Sequence, residues 1–185
     1  MKAWLVVLIA GLQTAWIVGS ALRQEYHLAT DPVVRLEART ADLRDLRRAG
    51  HVSLRYEINE VPLALFEPKP PKDPAVGEVA FVVLEKQGDF HQPIRASLEW
   101  PALRPGQVAI RGRVDYARRP RDPGAKRTAD TQVRIRYGLE RFYVSEGVRA
   151  PRGDLTVDAA VSSDGRPLLK EVYLDGRPFR EAVKP

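Results

Sequence analysis

The side chains that could do chemistry are scattered along this 185-residue chain rather than clustered. His27, His51 and His91 stand far apart, with no HExxH or similar spacing to aim two imidazoles at one metal. No GxSxG turn, phosphate-cradling glycine loop or GxGxxG occurs, so the sequence offers neither a nucleophile elbow nor a nucleotide site of those types. His51 and Ser53 would share a face of a strand, a spacing that a nucleophile and its base could use. That face lies opposite Val52, Leu54 and Tyr56, so solvent-facing polar residues are expected there. A carboxylate pair among Asp45, Glu57 and Glu140 could divide acid and base roles, but with 24 acidic residues chance pairings are common. Cysteine is absent, which excludes disulfides and thiolate chemistry. The expectation is a protein with no catalytic residue, cofactor or metal ligand. An enzyme acting on an envelope substrate through that carboxylate pair is the alternative.

A second constellation is aromatic and basic. Tyr137, Phe142 and Tyr143 lie among Arg134, Arg136 and Arg141. On one continuous strand Tyr137 and Tyr143 would share a face and Phe142 would take the other. Such a surface could stack on nucleic acid or an anionic glycan, but a strand with one core face and an arginine rim reads the same way and is preferred. The net charge of +6 and pI near 9.8 also suggest nucleic acid. The distribution argues otherwise. Between Ala117 and Asp130, Arg118, Arg119, Arg121, Lys126 and Arg127 face only Asp122 and Asp130, a local net of +3 in a stretch holding Pro and Gly. A solvated basic loop near anionic headgroups is favoured over nucleic-acid binding. The candidate interaction residues are therefore Arg118, Arg119, Arg121, Tyr137, Phe142 and Tyr143, types that dominate interface energetics.

The elements around them divide in two. AWLVVLIAGLQTAWIVGSAL, residues 3–22, carries no charge and as a helix would cover about 30 Å, the hydrocarbon thickness of a bilayer. It lacks the polar stripe of a soluble core helix. A cleaved signal peptide is the rival, with Gly19-Ser20-Ala21 resembling a cleavage site, but the apolar run is long for a signal's hydrophobic region. A retained anchor with the domain exported is favoured, its helix continuing to about Leu28 before Asp31-Pro32 stops it. Residues 1–28 are thus expected to form the anchor and juxtamembrane helix, and 29–185 a soluble β-rich domain.

In that domain, alternation predicts strands at Val33–Ala38, His51–Ile58, Gln107–Tyr116 and Gln132–Val144. A near-continuous apolar run predicts a central strand at Glu78–Glu85 with Ile94–Trp100 its hairpin partner, and Leu155–Val161 and Pro167–Leu174 close the chain on either side of a turn. A helical turn is expected at Asp42–Arg48. EPKPPKDP, residues 67–74, reads as an extended connector. DGRP recurs at Asp164 and Asp175, suggesting two turns of similar chemistry. The expected fold is an antiparallel β-sandwich or open barrel of about seven to nine strands.

Three segments carry a family resemblance. They are Asp42-Leu43-Arg44-Asp45-Leu46 leading into Arg48–Ile58, then Val133–Gly147, then Tyr173–Pro178. With the N-terminal helix they make the chain resemble the GDYXXLXY family of membrane-anchored bacterial proteins. In the name motif, Ala49-Gly50-His51 replaces Gly-Asp-Tyr, and only Leu54 and Tyr56 match. The resemblance implies a β-domain tethered to the inner membrane through residues 3–22 and an integral membrane protein as partner. It implies no activity.

Overall fold

A computed structural model describes residues 3–42, 51–118, 131–143 and 153–182. The chain divides into two units, Met1–Asp31 and Pro32–Pro185.

The first unit is one helix, α1 (Ala3–Thr30). Its 28 residues span about 42 Å at 1.5 Å per residue. The hydroxyls within the apolar stretch are satisfied along the helix, Thr14 donating to Ala10 O and Ser20 to Ile17 O. The C-terminal end is tied by the Asp31 N–H on His27 O and by His27 Nδ1 against Asp31 Oδ2, 2.9 Å. Pro32 cannot donate the next helical hydrogen bond.

The second unit is antiparallel β. Its elements are β1 (Val33–Asp42), β2 (His51–Tyr56), β3 (Glu60–Pro62), β4 (Val79–Gln87), β5 (Phe90–Ser97) and β6 (Gln107–Arg118). They continue with β7 (Gln132–Arg136), β8 (Arg141–Tyr143), β9 (Leu155–Val161), β10 (Pro167–Leu174), β11 (Arg177–Pro178) and a terminal turn, α2 (Phe179–Ala182). They form a six-stranded sheet, β11-β10-β9-β1-β2-β8, and a five-stranded sheet, β3-β7-β6-β4-β5. Alternation sends Val34, Leu36 and Ala38 of β1, Val52, Leu54 and Tyr56 of β2, Ala80, Val82 and Leu84 of β4, and Val133 and Ile135 of β7 into one shared core. At about 25 cal/mol per Å² of apolar area removed from water, each fully buried Val or Leu contributes on the order of 1.5–3 kcal/mol.

The sequence expectations hold for the antiparallel β class and for most strands, with instructive exceptions. Eleven strands occur among the described residues rather than seven to nine, because β3, β8 and β11 have three residues or fewer. β5 begins at Phe90, not Ile94, and Trp100 lies beyond it. β2 ends at Tyr56, and Glu57–Asn59 form a 3-10 turn, although Ile58 remains buried. The helical turn expected at Asp42–Arg48 is replaced at Asp42 by the end of β1, and residues 43–48 lie outside the described part.

The largest correction concerns Gln132–Val144, expected as one strand. It is two, β7 and β8, in different sheets. Gly138, at φ 85°, turns the chain in a conformation that L side chains resist. The DGRP copies also differ. Asp175 and Gly176 both have positive φ, as a two-residue type I′ hairpin turn requires, whereas in the first copy only Gly165 does. There Asp164 instead accepts from the Ser162 hydroxyl and the Arg166 N–H.

The two sheets also meet along a seam. β2 pairs with β1 only from Ala38 onward, leaving the earlier part of that β1 edge without a strand partner. There the Arg35 N–H donates to His91 Nδ1 of β5, 3.0 Å. The Arg35 guanidinium reaches across to Asp158 on β9, with Nε to Oδ1 and Nη2 to Oδ2 both 2.8 Å, and lies over the Tyr173 ring. Asp158 is buried, and this two-pronged pairing is what makes its charge tolerable there.

Candidate interaction site and the crossover corner

The chain passes between the sheets twice, after β2 and after β7, and the two crossings lie side by side. Each supplies a tyrosine to the other. Tyr56 OH donates to Leu139 O at 2.8 Å, and Tyr137 OH donates to Ile58 O at 2.7 Å. Both rings are buried, filling core volume while their tips serve carbonyls that leave the ladders as the strands end. Burial pushes both hydroxyls far above the ordinary tyrosine range, and the negative charge of Glu140 adds to this. They therefore act as permanent donors.

Asn59 and Glu140 complete the corner. Asn59 Oδ1 accepts the Tyr56 N–H at 2.6 Å, and its Nδ2 donates to Ile135 O at 2.7 Å. Glu140 accepts the Tyr137 N–H through Oε1, 2.6 Å, and the Gly138 N–H through Oε2, 2.8 Å. One carboxylate thus satisfies the amides that Gly138's turn removes from the sheet. Behind the corner Gly112 leaves no room for a side chain: a Cβ there would overlap Ile135 Cγ2 and the Arg136 carbonyl oxygen and press on the Tyr137 ring.

The segments that build this corner are matched as a unit. The pattern described as GDYXXLXY protein matches residues 13–172. The chain belongs to the GDYXXLXY family. No curated protein and no solved structure matches it. In this GDYXXLXY protein, the two name-motif positions that are kept, Leu54 and Tyr56, are both core residues of β2. Leu54 lies in the buried cluster and its N–H donates to Glu140 O, 2.8 Å. Of the replaced positions, His51 opens β2, while Ala49 and Gly50 lie outside the described residues.

The carboxylates considered for catalysis are placed apart in role. Glu140 is occupied by backbone amides, and Glu57 pairs with Arg39 at 3.1 Å. Asp45 lies outside the described residues. Among the described residues no group of three or more His, Cys, Asp or Glu side chains could hold a metal.

The interaction candidates separate in the same way. Tyr137 is a corner residue and presents no surface, a correction to its expected place beside Tyr143: the Gly138 turn breaks the alternation that would have put them on one face. Tyr143 is 70% exposed on β8. Phe142 points the other way and meets Phe179 of α2 edge-on, 5.1 Å between centroids. Arg118 closes β6 opposite Gln132, and Arg119 and Arg121 lie outside the described residues. On β7, Arg134 and Arg136 share Asp115, with Arg136 Nε 3.1 Å from Oδ1 and Arg134 Nε 3.8 Å from Oδ2. Arg134 also covers the Tyr116 ring and is held further above its usual basicity by that hydroxyl.

Sequence reasoning missed Asn59 and the role of Glu140, which only the adjacency of two distant crossings reveals. It also missed Trp100, read as a strand end. The clue there was WPALRPG, residues 100–106, whose two prolines and glycine mark a constrained loop.

Proposed function

We propose that this protein is a membrane-anchored accessory of the bacterial envelope, without catalytic activity, that binds an integral membrane partner. The observation carrying this reading is α1. It is long and apolar enough to cross a bilayer, and among the described residues the side chains from Trp4 to Leu22 are exposed. An apolar helix with no protein cover is costly in water and at home in lipid. Retained in the inner membrane as a single pass, with its N-terminus inside, it would hold the β-domain on the extracytoplasmic side. Confinement to that layer raises the effective concentration of the domain toward a co-resident partner, so a modest interface suffices. The basic sequence Arg118, Arg119 and Arg121, which begins at the last residue of β6, and the exposed Tyr143 with Phe142 behind it, are the contact candidates. The committed state of Glu140 and Glu57 supports a scaffold rather than an acid–base centre.

Two measurements test this. Fractionation of cells should leave the intact polypeptide, still bearing Met1, in the membrane pellet after salt and carbonate washes; recovery in the soluble pool overturns the anchor. Cross-linking in intact membranes should yield a discrete integral membrane adduct. Changing Arg118, Arg119 and Arg121 together to Glu should reduce that adduct about tenfold, the equivalent of roughly 1.4 kcal/mol. An undiminished adduct removes the basic loop from the interface.

A further inference from the structure

Residues 98–106, between β5 and β6, cross the outer face of the five-stranded sheet, from Ser97 opposite Phe81 to Gln107 opposite Glu85. Beneath this path Val83 and Ala109 are buried although they lie outside the main core. The loop is held firmly. Ser97 Oγ accepts the Glu99 N–H, Arg95 Nη2 donates to Ala102 O at 2.6 Å, and Arg104 and Gln107 exchange two bonds. The Trp100 indole stands edge-on to Phe81, 5.3 Å between centroids. Yet Trp100 is 49% exposed and Leu103 41%. A constrained loop therefore presents two large apolar side chains to the outside, followed by the exposed Arg104.

Its place in the domain gives this meaning. Trp100 lies against Gly165, where a Cβ would come within 3.1–3.3 Å of Ala109 O, the indole and Arg111 Cβ. Gly165 belongs to the β9–β10 turn, and its carbonyl takes the Arg111 N–H at 2.7 Å. At the start of that turn the Val161 N–H donates to Pro32 O, 2.9 Å. Val161 and Gly165 are four residues apart, at most about 14 Å even if fully extended. Pro32 is the first residue of the β unit, joined by a peptide bond to the end of the helical unit. The loop thus lies toward the end of the domain where the chain enters from α1, and the exposed Arg104 stands beside its two apolar side chains.

We infer that Trp100 and Leu103 form a second contact with the bilayer, at the headgroup level of the membrane that α1 spans. An indole and a leucine on a rigid support, with arginine beside them, match the amphipathic interfacial zone and its anionic phosphates. This rests on the reading of α1 as a membrane span, and the experiment separates the two. The chain has three tryptophans: Trp4, Trp16 and Trp100. The full-length protein is reconstituted in vesicles of equal phosphatidylcholine and phosphatidylglycerol as Trp4→Phe/Trp16→Phe, leaving Trp100, and as Trp4→Phe/Trp100→Phe, leaving Trp16. Trp16 should be quenched by lipids spin-labelled deep in the acyl chain. Trp100 should be quenched by lipids labelled near the headgroup, shift its emission to the blue, and lose acrylamide quenching; adding Leu103→Glu should reverse all three. Deep quenching of Trp16 with no lipid quenching of Trp100 overturns the second contact alone. Shielding of Trp100 from acrylamide without lipid quenching assigns the surface to a protein neighbour and also overturns it. Failure of Trp16 to be quenched overturns the span and the contact together.

Discussion

The two sheets are joined at the crossover corner and at the β1–β5 seam, and the two joints are built from different chemistry. At the corner each crossing segment donates a buried tyrosine hydroxyl to the other's backbone, and those hydroxyls stay protonated at any physiological pH. At the seam a partly exposed imidazole accepts one backbone N–H. Burial, the largest influence, lowers the basicity of His91 below its ordinary range, and the Lys86 charge adds to it against the opposing effect of the Arg35 backbone and the Asp158 charge. Acceptance through Nδ1 also demands the neutral ring with its proton on Nε2. The tyrosine hydroxyl bonds of the corner therefore keep their protons over the range in which the histidine of the seam titrates.

The comparison breaks most severely at Tyr137. Tyr137→Ala removes a buried ring and leaves Ile58 O without its donor, and should cost about 3–5 kcal/mol in a denaturant titration of the full chain in detergent. A loss below about 1 kcal/mol would mean that the corner is not a principal joint. Gly112→Ala should cost about 1–3 kcal/mol by the same measurement, because its Cβ meets β7 backbone as well as the Ile135 side chain. The smallest effect sharpens the contrast. As pH falls below about 6.5, the reference value for histidine, and through the lowered folded value, His91 gains a proton and its contribution to stability is lost; above that range it is fully present. Amide exchange should show falling protection of the Arg35 N–H over this window, while the Tyr56 amide, bonded to the Asn59 side-chain oxygen, holds. In His91→Leu the Arg35 amide should be weakly protected at every pH. A flat Arg35 profile in the wild-type chain would contradict the seam.

Much of the architecture was legible because it follows from composition and period. An uncharged run of twenty residues announces α1, alternation announces β1 and β6, and a near-continuous apolar run announces β4. The corner was not legible, for a physical reason. A crossing between stacked sheets uses only a few residues and keeps hydrophobic residues buried on both sides of it, so RIRYGLERFYV has the same pattern whether it runs straight or changes sheet. Gly138 was the one visible sign. The DGRP copies show the same limit: identical residues turn differently because Leu174 and Arg177 pair across one turn, whereas Ser162 and Arg166 close a longer one. The interaction candidates suffered likewise, since Tyr137 and Tyr143 could be told apart only once the strand was known to break.

The borders of both sheets bear on how such a domain behaves in a crowd. Three of the four outermost strands, β3, β8 and β11, are three residues or shorter, and β3 and β11 end in Pro62 and Pro178. The longer β5 carries Pro93 and is partly overlaid by Arg35 and by Glu67, whose N–H donates to Ala96 O. Among the described residues little open backbone remains to template a strand from a neighbouring copy. Many such molecules could be packed into a two-dimensional film without polymerising edge to edge.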